Sequence, residues 1–136
     1  MSHLLKKSEQ NKSIAHFLHT SATPCYPASV HCGYYSCLQK IIYLFDEYFE
    51  TSYDTVVGNI KGGKGGIHGH YIKEIGGIIL KYDKKDARNI RNDLKHLKIL
   101  RLKSDYKDEE ITEATAQKAF EYTETIHKII KRHFQL

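Results

Sequence analysis

The sequence lacks several features that mark secreted, membrane-spanning or metal-binding proteins. Its three cysteines, Cys25, Cys32 and Cys37, are an odd number in one short segment, which does not suit a disulfide framework. No C-x-x-C pair is present, so we expect no zinc site. No run reaches the roughly 18 apolar residues needed to span a bilayer, and the polar start (1–10) lacks the apolar stretch of a signal peptide. We therefore expect a cytoplasmic protein without metal, cofactor or membrane contact, whose thiols are small buried apolar groups.

Proline and strand-like alternation are also scarce. The chain has two prolines, Pro24 and Pro27, and no convincing segment in which apolar and polar residues alternate. Apolar residues instead recur at steps of three and four, which is the period of a helix. This pattern predicts five helices, over about 4–20, 27–51, 67–82, 85–104 and from Thr112 to about 133. Because the connections are mostly short, we expect an all-α antiparallel bundle that forms one domain over 1–136.

Glycine is concentrated at two points between or within the predicted helices. The stretch 61–66 has four glycines and two lysines, but no Gly-Lys-Ser/Thr closes it and no apolar strand precedes it. This departs from the pattern of a nucleotide-binding loop and indicates a flexible interhelical loop. A second pair, Gly76 and Gly77, lies inside a predicted helix and indicates close packing or a kink.

Positive charge is concentrated on one predicted helix. The formal net charge of the chain is +5, and residues 84–107 hold nine basic residues against three aspartates. One segment therefore carries the whole surplus. The pattern fits either a solvated helix face or a surface that contacts phosphate. On the second interpretation, the residues expected to contact nucleic acid are Arg88, Lys95, Lys98, Arg101 and Lys103.

The same helix carries a possible acid–base pair in Arg91 and His96, with Asn92 beside the arginine. A guanidinium is a forked donor that matches phosphate oxygens, and an imidazole gives and takes protons near neutral pH. Together these groups are the minimum needed to cleave RNA without metal. A spacing of five residues turns about 140° around a helix, so the pair would approach a ligand from two sides.

Three short stretches resemble the HEPN superfamily of small helical-bundle proteins. The first is 26–37, with its Tyr34-Tyr35 pair, and the second is 66–68, which ends in His68. The third, 100–106, looks like the Arg-x-x-Ala-Asp-Tyr stretch of one bacterial branch, with Ser104 in place of the usual alanine. The resemblance spans about 12–134 and implies a HEPN-like up-and-down core of four helices.

The resemblance also implies an activity. The catalytic pattern of the family is an arginine, a polar residue and a histidine four to six residues after the arginine, which Arg91, Asn92 and His96 match. In proteins with this pattern, two chains form a metal-independent endoribonuclease and each contributes one Arg–His pair to a shared cleft. We therefore expect an RNA-binding homodimer, as the toxin of a toxin–antitoxin or phage-defence pair.

A rival alignment of the same family places its catalytic arginine at Arg101. Asp105 then follows, and Tyr106 stands where the histidine should be. Because a tyrosine normally has a pKa near 10, it is a poor base at neutral pH. This alignment favours a non-catalytic module that dimerises or partners a nucleotidyltransferase-type protein.

The remaining histidines are predicted to be structural. His68 and His70 are two residues apart, and His16 and His19 are three apart, but no acidic or cysteine partner is fixed near them. His31 lies beside the predicted core stripe, where we expect a hydrogen-bonded residue at the edge of the core. The neighbouring Tyr34-Tyr35 pair is predicted to be packing groups.

Overall fold

The computed structural model describes residues 2–60 and 66–136, and its regular structure is entirely helical. Within these ranges there are six helices and no strand, which confirms the predicted all-α class. The helices are α1 (His3–Thr20), α2 (Tyr26–Tyr48), α3 (Tyr53–Ile60), α4 (Gly66–Leu80), α5 (Lys84–Tyr106) and α6 (Glu113–Phe134). None of the described helices combines the length and apolar character needed to cross a membrane.

The sequence pattern misses one helix and misplaces the end of another. The predicted number of five is wrong because α3 has only eight residues and buries one of them, Val56, so it offers little apolar periodicity. Helix α5 continues to Tyr106 instead of stopping at Ser104, so Asp105 lies in its last turn and not in a loop. Of the predicted 61–66 loop, only Gly66 lies within the described residues.

Helix α2 is the centre of the bundle and packs against α1, α4, α5 and α6. Its long apolar stripe explains this position, because Tyr34, Ile41 and Leu44 are fully buried. Leu97 of α5 and Ile126 of α6 are equally buried and belong to the same core. Full burial of such a side chain stabilises the fold by about 1.5–3 kcal/mol.

Side-chain caps and one glycine set how α2, α5 and α6 are placed. Asp83 begins α5 by accepting a hydrogen bond from the Asp86 N–H at 3.0 Å. Thr112 begins α6 as predicted, because its hydroxyl accepts from the Thr115 N–H at 3.2 Å. Gly33 brings α2 against α6, where a Cβ would lie 2.7 Å from the Thr123 hydroxyl.

The three cysteines do not share one environment. Cys37 is buried in α2, as predicted, but Cys32 is partly exposed and Cys25 is exposed. The prediction fails for Cys25 because this residue precedes α2 as its N-cap. It therefore lies outside the apolar stripe that α2 turns towards the core.

Candidate nucleic-acid interface

Arg91 and His96 lie on opposite flanks of α5. Arg91 lines a groove between α4 and α5. His96 lines a separate groove between α5 and α6, where its ring centroid is 5.5 Å from that of Tyr122. Asn92 is exposed. The turn of about 140° between Arg91 and His96 therefore separates them, and within one chain they do not face a common cleft.

The groove between α4 and α5 is lined mainly by cations. It encloses about 470 Å³, and its lining residues are Gly69, Ile72, Lys73, Arg91, Lys95 and Lys98. Among the described residues no acidic side chain lines it, so its field favours anions. Gly76 leaves room for the Arg91 side chain, because a Cβ at residue 76 would lie 2.7 Å from the Arg91 Nε.

The other cations predicted to contact nucleic acid are distributed differently. Arg88 is exposed and lies outside the lining of this groove. Lys103 forms an ion pair with Glu109, with 2.9 Å between Nζ and Oε2. Arg101 is 6% exposed. The basic helix therefore presents a groove, a few solvated cations and one buried guanidinium, and not one uniform face.

The Arg101 guanidinium is held by aromatic rings. Its central carbon lies 5.1 Å from the ring centroid of Tyr34, 5.7 Å from that of Tyr35 and 5.9 Å from that of Tyr106. These distances suit cation–π attraction, which is worth about 2 kcal/mol when the pair is desolvated. The Nε–H of Arg101 is buried and has no hydrogen-bond partner among the described residues. An unsatisfied buried donor costs about 1–3 kcal/mol, so this N–H lowers the stability of the fold unless an acceptor reaches it.

Asp105 joins Arg101 to a histidine of α2. Its Oδ2 lies 3.6 Å from Arg101 Nη1 and 2.9 Å from His31 Nδ1. Because a carboxylate only accepts hydrogen bonds, His31 carries a proton on Nδ1 and donates it to Asp105. The His31 side chain is 47% exposed and the Asp105 side chain 18% exposed. Asp105 thus fixes the orientation of an imidazole whose other nitrogen, Nε2, does not bind the carboxylate.

His68 of α4 completes the group through Tyr34. The Tyr34 hydroxyl lies 2.9 Å from His68 Nδ1. Burial raises the pKa of Tyr34 well above 10, so the hydroxyl is protonated at neutral pH, and we assign it as the donor to Nδ1. Burial, together with the charges of Arg101 and Lys98, lowers the pKa of His68 below 6.5. The ring is therefore neutral at pH 7, with its own proton on Nε2, which makes it an N–H donor.

We call the residues His31, Tyr34, Tyr35, His68, Arg101, Asp105 and Tyr106 the Arg101 cluster. The cluster adjoins the basic groove, because Lys98 lines the groove and its charge acts on His68. Gly69, the next residue after His68, also lines the groove. Cationic side chains thus extend from Arg91 along α5 to Arg101.

A second group of titratable side chains ties α5 to α6. Atoms of Asp83, Asp86 and His133 lie within 4.8 Å of one another, a spacing that a metal ion can bridge. However, Arg132 Nη1 donates to both Asp86 oxygens at 2.7 and 2.6 Å, and His133 Nε2 lies 2.8 Å from Oδ2. Since a guanidinium already occupies the carboxylate, we interpret this group as an ion-pair network.

Sequence reasoning named part of the Arg101 cluster and missed the rest. Arg101, Asp105 and Tyr106 belong to the rival alignment, whereas His31 and His68 were predicted to be structural. The three stretches that carry the HEPN resemblance, 26–37, 66–68 and 100–106, each contribute to this cluster. Their shared resemblance was the one signal that linked them. No family model, curated protein or solved structure matches this chain.

Proposed function

We propose that this chain is a HEPN-like domain that binds RNA at the Arg101 cluster and cleaves it without a metal ion. One observation carries the proposal: the buried Arg101 guanidinium has an Nε–H without a partner among the described residues, and it lies near enough to His68 for its charge to lower the pKa of that ring. Both groups are donors, and a phosphate oxygen is the acceptor that fits them. The proposal keeps the family that the sequence resembles and moves the phosphate-binding arginine from Arg91 to Arg101.

The basic groove supports a polymeric anion as the ligand. A single phosphate needs only one pocket, whereas here a line of cations leads from Arg91 through Lys95 and Lys98 to the cluster. We propose that Arg101 and His68 hold the scissile phosphate and that the groove cations contact neighbouring phosphates. RNA affinity should then fall as salt rises, because each neutralised phosphate releases counterions.

Cleavage of RNA in the presence of EDTA tests this proposal. We expect the purified protein to cut total RNA, Arg101→Gln to abolish cutting, and His96→Ala to leave it unchanged. The opposite result, with Arg101→Gln active and His96→Ala inactive, would return the site to the Arg91–His96 register. Expression of the active protein should also arrest growth if it acts as the toxin of a toxin–antitoxin or phage-defence pair.

A second function is favoured by the burial of Arg101. At 6% exposure and against three tyrosine rings, its guanidinium also suits a structural tie between α2 and α5. On this account the chain is a non-catalytic module that forms a homodimer or partners a nucleotidyltransferase-type protein. Arg101→Gln would then lower the free energy of unfolding and leave the RNA affinity unchanged. The wild-type protein would not cut RNA.

A further inference from the structure

We propose that a cavity beside the Arg101 cluster takes one unpaired base of the bound RNA and prefers uracil to adenine. This inference rests on the proposed function and names the part of the substrate that the chain reads. The cavity encloses about 310 Å³, and residues of α1, α2, α3 and α4 line it. We call it the Tyr53 cavity, after the most exposed aromatic side chain of its lining.

The Tyr53 cavity adjoins the Arg101 cluster through two shared residues, Tyr35 and His68. The central carbon of the Arg101 guanidinium lies 5.7 Å from the Tyr35 ring centroid, and the Tyr35 and His68 ring centroids are 5.9 Å apart. Gly69, the residue after His68, lines the basic groove. The cavity and the groove are therefore neighbours, so a nucleotide whose phosphate lies in the groove can place its base in the cavity.

The lining of the Tyr53 cavity suits the flat face of a base. Its apolar part consists of Leu4, Leu38 and Ile42. Tyr53 is 44% exposed, so its ring is free to stack on a ligand. The ring of Tyr35 is less available, because His31 and Arg101 already pack against it. Proteins read single-stranded RNA by stacking unpaired bases on aromatic rings and by hydrogen bonds to the base edges.

Gln39 supplies a hydrogen-bond donor for the edge of the base. Its Oε1 accepts from Asn11 Nδ2 at 2.9 Å, so we assign the amide with its NH₂ group available to a ligand. Among the described residues no carboxylate lines the cavity. Uracil offers carbonyl oxygens to such a donor, whereas the amino group of adenine needs an acceptor. This difference is the reason for the proposed preference.

The affinities of two short RNAs, oligo(U) and oligo(A), test the preference. Both carry 2′-O-methyl groups, which resist cleavage, and fluorescence anisotropy measures binding. We expect the wild-type protein to bind oligo(U) about tenfold more tightly, in line with one unsatisfied polar group on bound adenine. Gln39→Glu keeps the acceptor for Asn11 but loses the donor, so the ratio of the two affinities should fall to about one or invert. Gln117→Glu, the same charge change at an exposed residue outside the cavity lining, should keep the ratio.

Tyr53→Ala tests the stacking surface. Removing the ring should weaken the binding of oligo(U) by about tenfold, the usual size of one base–aromatic contact. Tyr48→Ala, which removes a 54% exposed tyrosine outside the cavity lining, should have no such effect, and far-UV circular dichroism of each variant checks folding.

Equal affinity of the wild-type protein for the two RNAs would overturn the base cavity and leave the proposed function standing. A ratio that stays the same in Gln39→Glu, or a Tyr53→Ala variant with wild-type affinity, would do so as well. A wild-type protein that binds neither RNA would overturn both the cavity and the proposed function.

Discussion

Arg101 differs from the other cations of α5 in how its guanidinium is held. Lys95 and Arg88 extend into solvent, whereas Arg101 is packed by three tyrosine rings and paired with Asp105. Packing of this kind lowers the entropy that the side chain loses on binding phosphate. The residue is therefore positioned before any ligand arrives.

Replacing Arg101 with lysine should show that its shape matters as well as its charge. Lysine keeps the positive charge but lacks the planar fork and stacks less well on tyrosine. We expect the dissociation constant for a short RNA to rise about tenfold or more, in line with the loss of one charge-assisted hydrogen bond. Fluorescence anisotropy measures this change. Arg88→Lys is the control, and an equal loss of affinity in that variant would argue for a purely electrostatic surface.

Tyr34→Phe tests the hydrogen bond that fixes the His68 tautomer. Removing the hydroxyl removes the donor at 2.9 Å from Nδ1, so the proton of the neutral ring is free to shift between the two nitrogens. We expect the ¹⁵N chemical shifts of the His68 ring to move towards those of a tautomer mixture and the free energy of unfolding to fall by about 1 kcal/mol. If the ring shifts matched those of wild type and of Tyr35→Phe, our tautomer assignment would be wrong.

At the residue scale, the sequence predicts contacts between residues that are close together in the chain. Arg101 and Asp105 are four apart on one helix, so their proximity follows from helical geometry. His31 and His68 come from α2 and α4, and their approach to Arg101 depends on how three helices cross. A single sequence does not determine that crossing, which is why both histidines were interpreted as structural.

At the scale of elements, the two glycines of α4 have different surroundings. A Cβ at Gly76 would meet the end of the Arg91 side chain at 2.7 Å, whereas a Cβ at Gly77 would meet nothing within 4 Å. The sequence indicated close packing or a kink for the pair, and the close packing belongs to Gly76 alone. The pair therefore offers matched variants that alter one flank of the basic groove.

We expect Gly77→Ala to raise the free energy of unfolding by about 0.5–1 kcal/mol, because alanine loses less backbone entropy in a helix. Gly76→Ala should raise the free energy of unfolding by less, since its methyl group displaces the Arg91 guanidinium. The same variant should also weaken RNA binding, although the net charge is unchanged. Urea unfolding and RNA affinity measured on both variants check this. Equal RNA affinity in the two variants would exclude a contribution of the Arg91 position to the groove.

A helix with a longer apolar stripe was easier to predict from the sequence. Helix α2 has a long apolar stripe, and its predicted position is confirmed apart from a few residues at its end. Helix α3 buries only Val56 and was missed. The end of α5 was misplaced because Lys107 caps it through a backbone N–H bonded to the Lys103 carbonyl at 3.2 Å, a contact without a side-chain signature.

For the molecule as a whole, a buried neutral histidine makes stability depend on pH. His127 of α6 faces α2, with its Nε2 3.0 Å from the Ser36 hydroxyl. Burial, and then the charges of Lys40 and Lys12, lower the pKa of His127 to about 3. The unfolded chain, with an ordinary histidine pKa near 6.5, therefore binds this proton first. The contribution of His127 to stability is complete above pH 6.5 and declines as the pH falls towards 3.

Urea unfolding between pH 7 and pH 4.5 tests this linkage. We expect the free energy of unfolding of the wild-type protein to fall, with a contribution from His127 that approaches about 1.4 kcal/mol per pH unit below pH 6. His127→Gln should flatten the slope, since glutamine does not titrate, while His16→Gln on the exposed face of α1 should keep it. The same slope in wild type and His127→Gln would show that other groups cause the pH dependence.

The whole bundle also explains why α5 presents two possible sites. Its length takes one flank past α4 and the other past α6, so Arg91 and His96 face different grooves while Arg101 reaches the Tyr34–Tyr35 pair of α2. The fold class followed from composition and periodicity. The choice between the two arginines required the positions of α2 and α4 around α5.

A nuclear magnetic resonance titration tests the position of the RNA site most directly. The probe is a short RNA with 2′-O-methyl groups, which resist cleavage, and the signals are the Nε–H groups of Arg91 and Arg101 and the rings of His68 and His96. We predict that the largest changes occur at Arg101 and His68, with smaller changes at Arg91 and none at His96. Changes confined to Arg91 and His96, with Arg101 and His68 unmoved, would contradict the account.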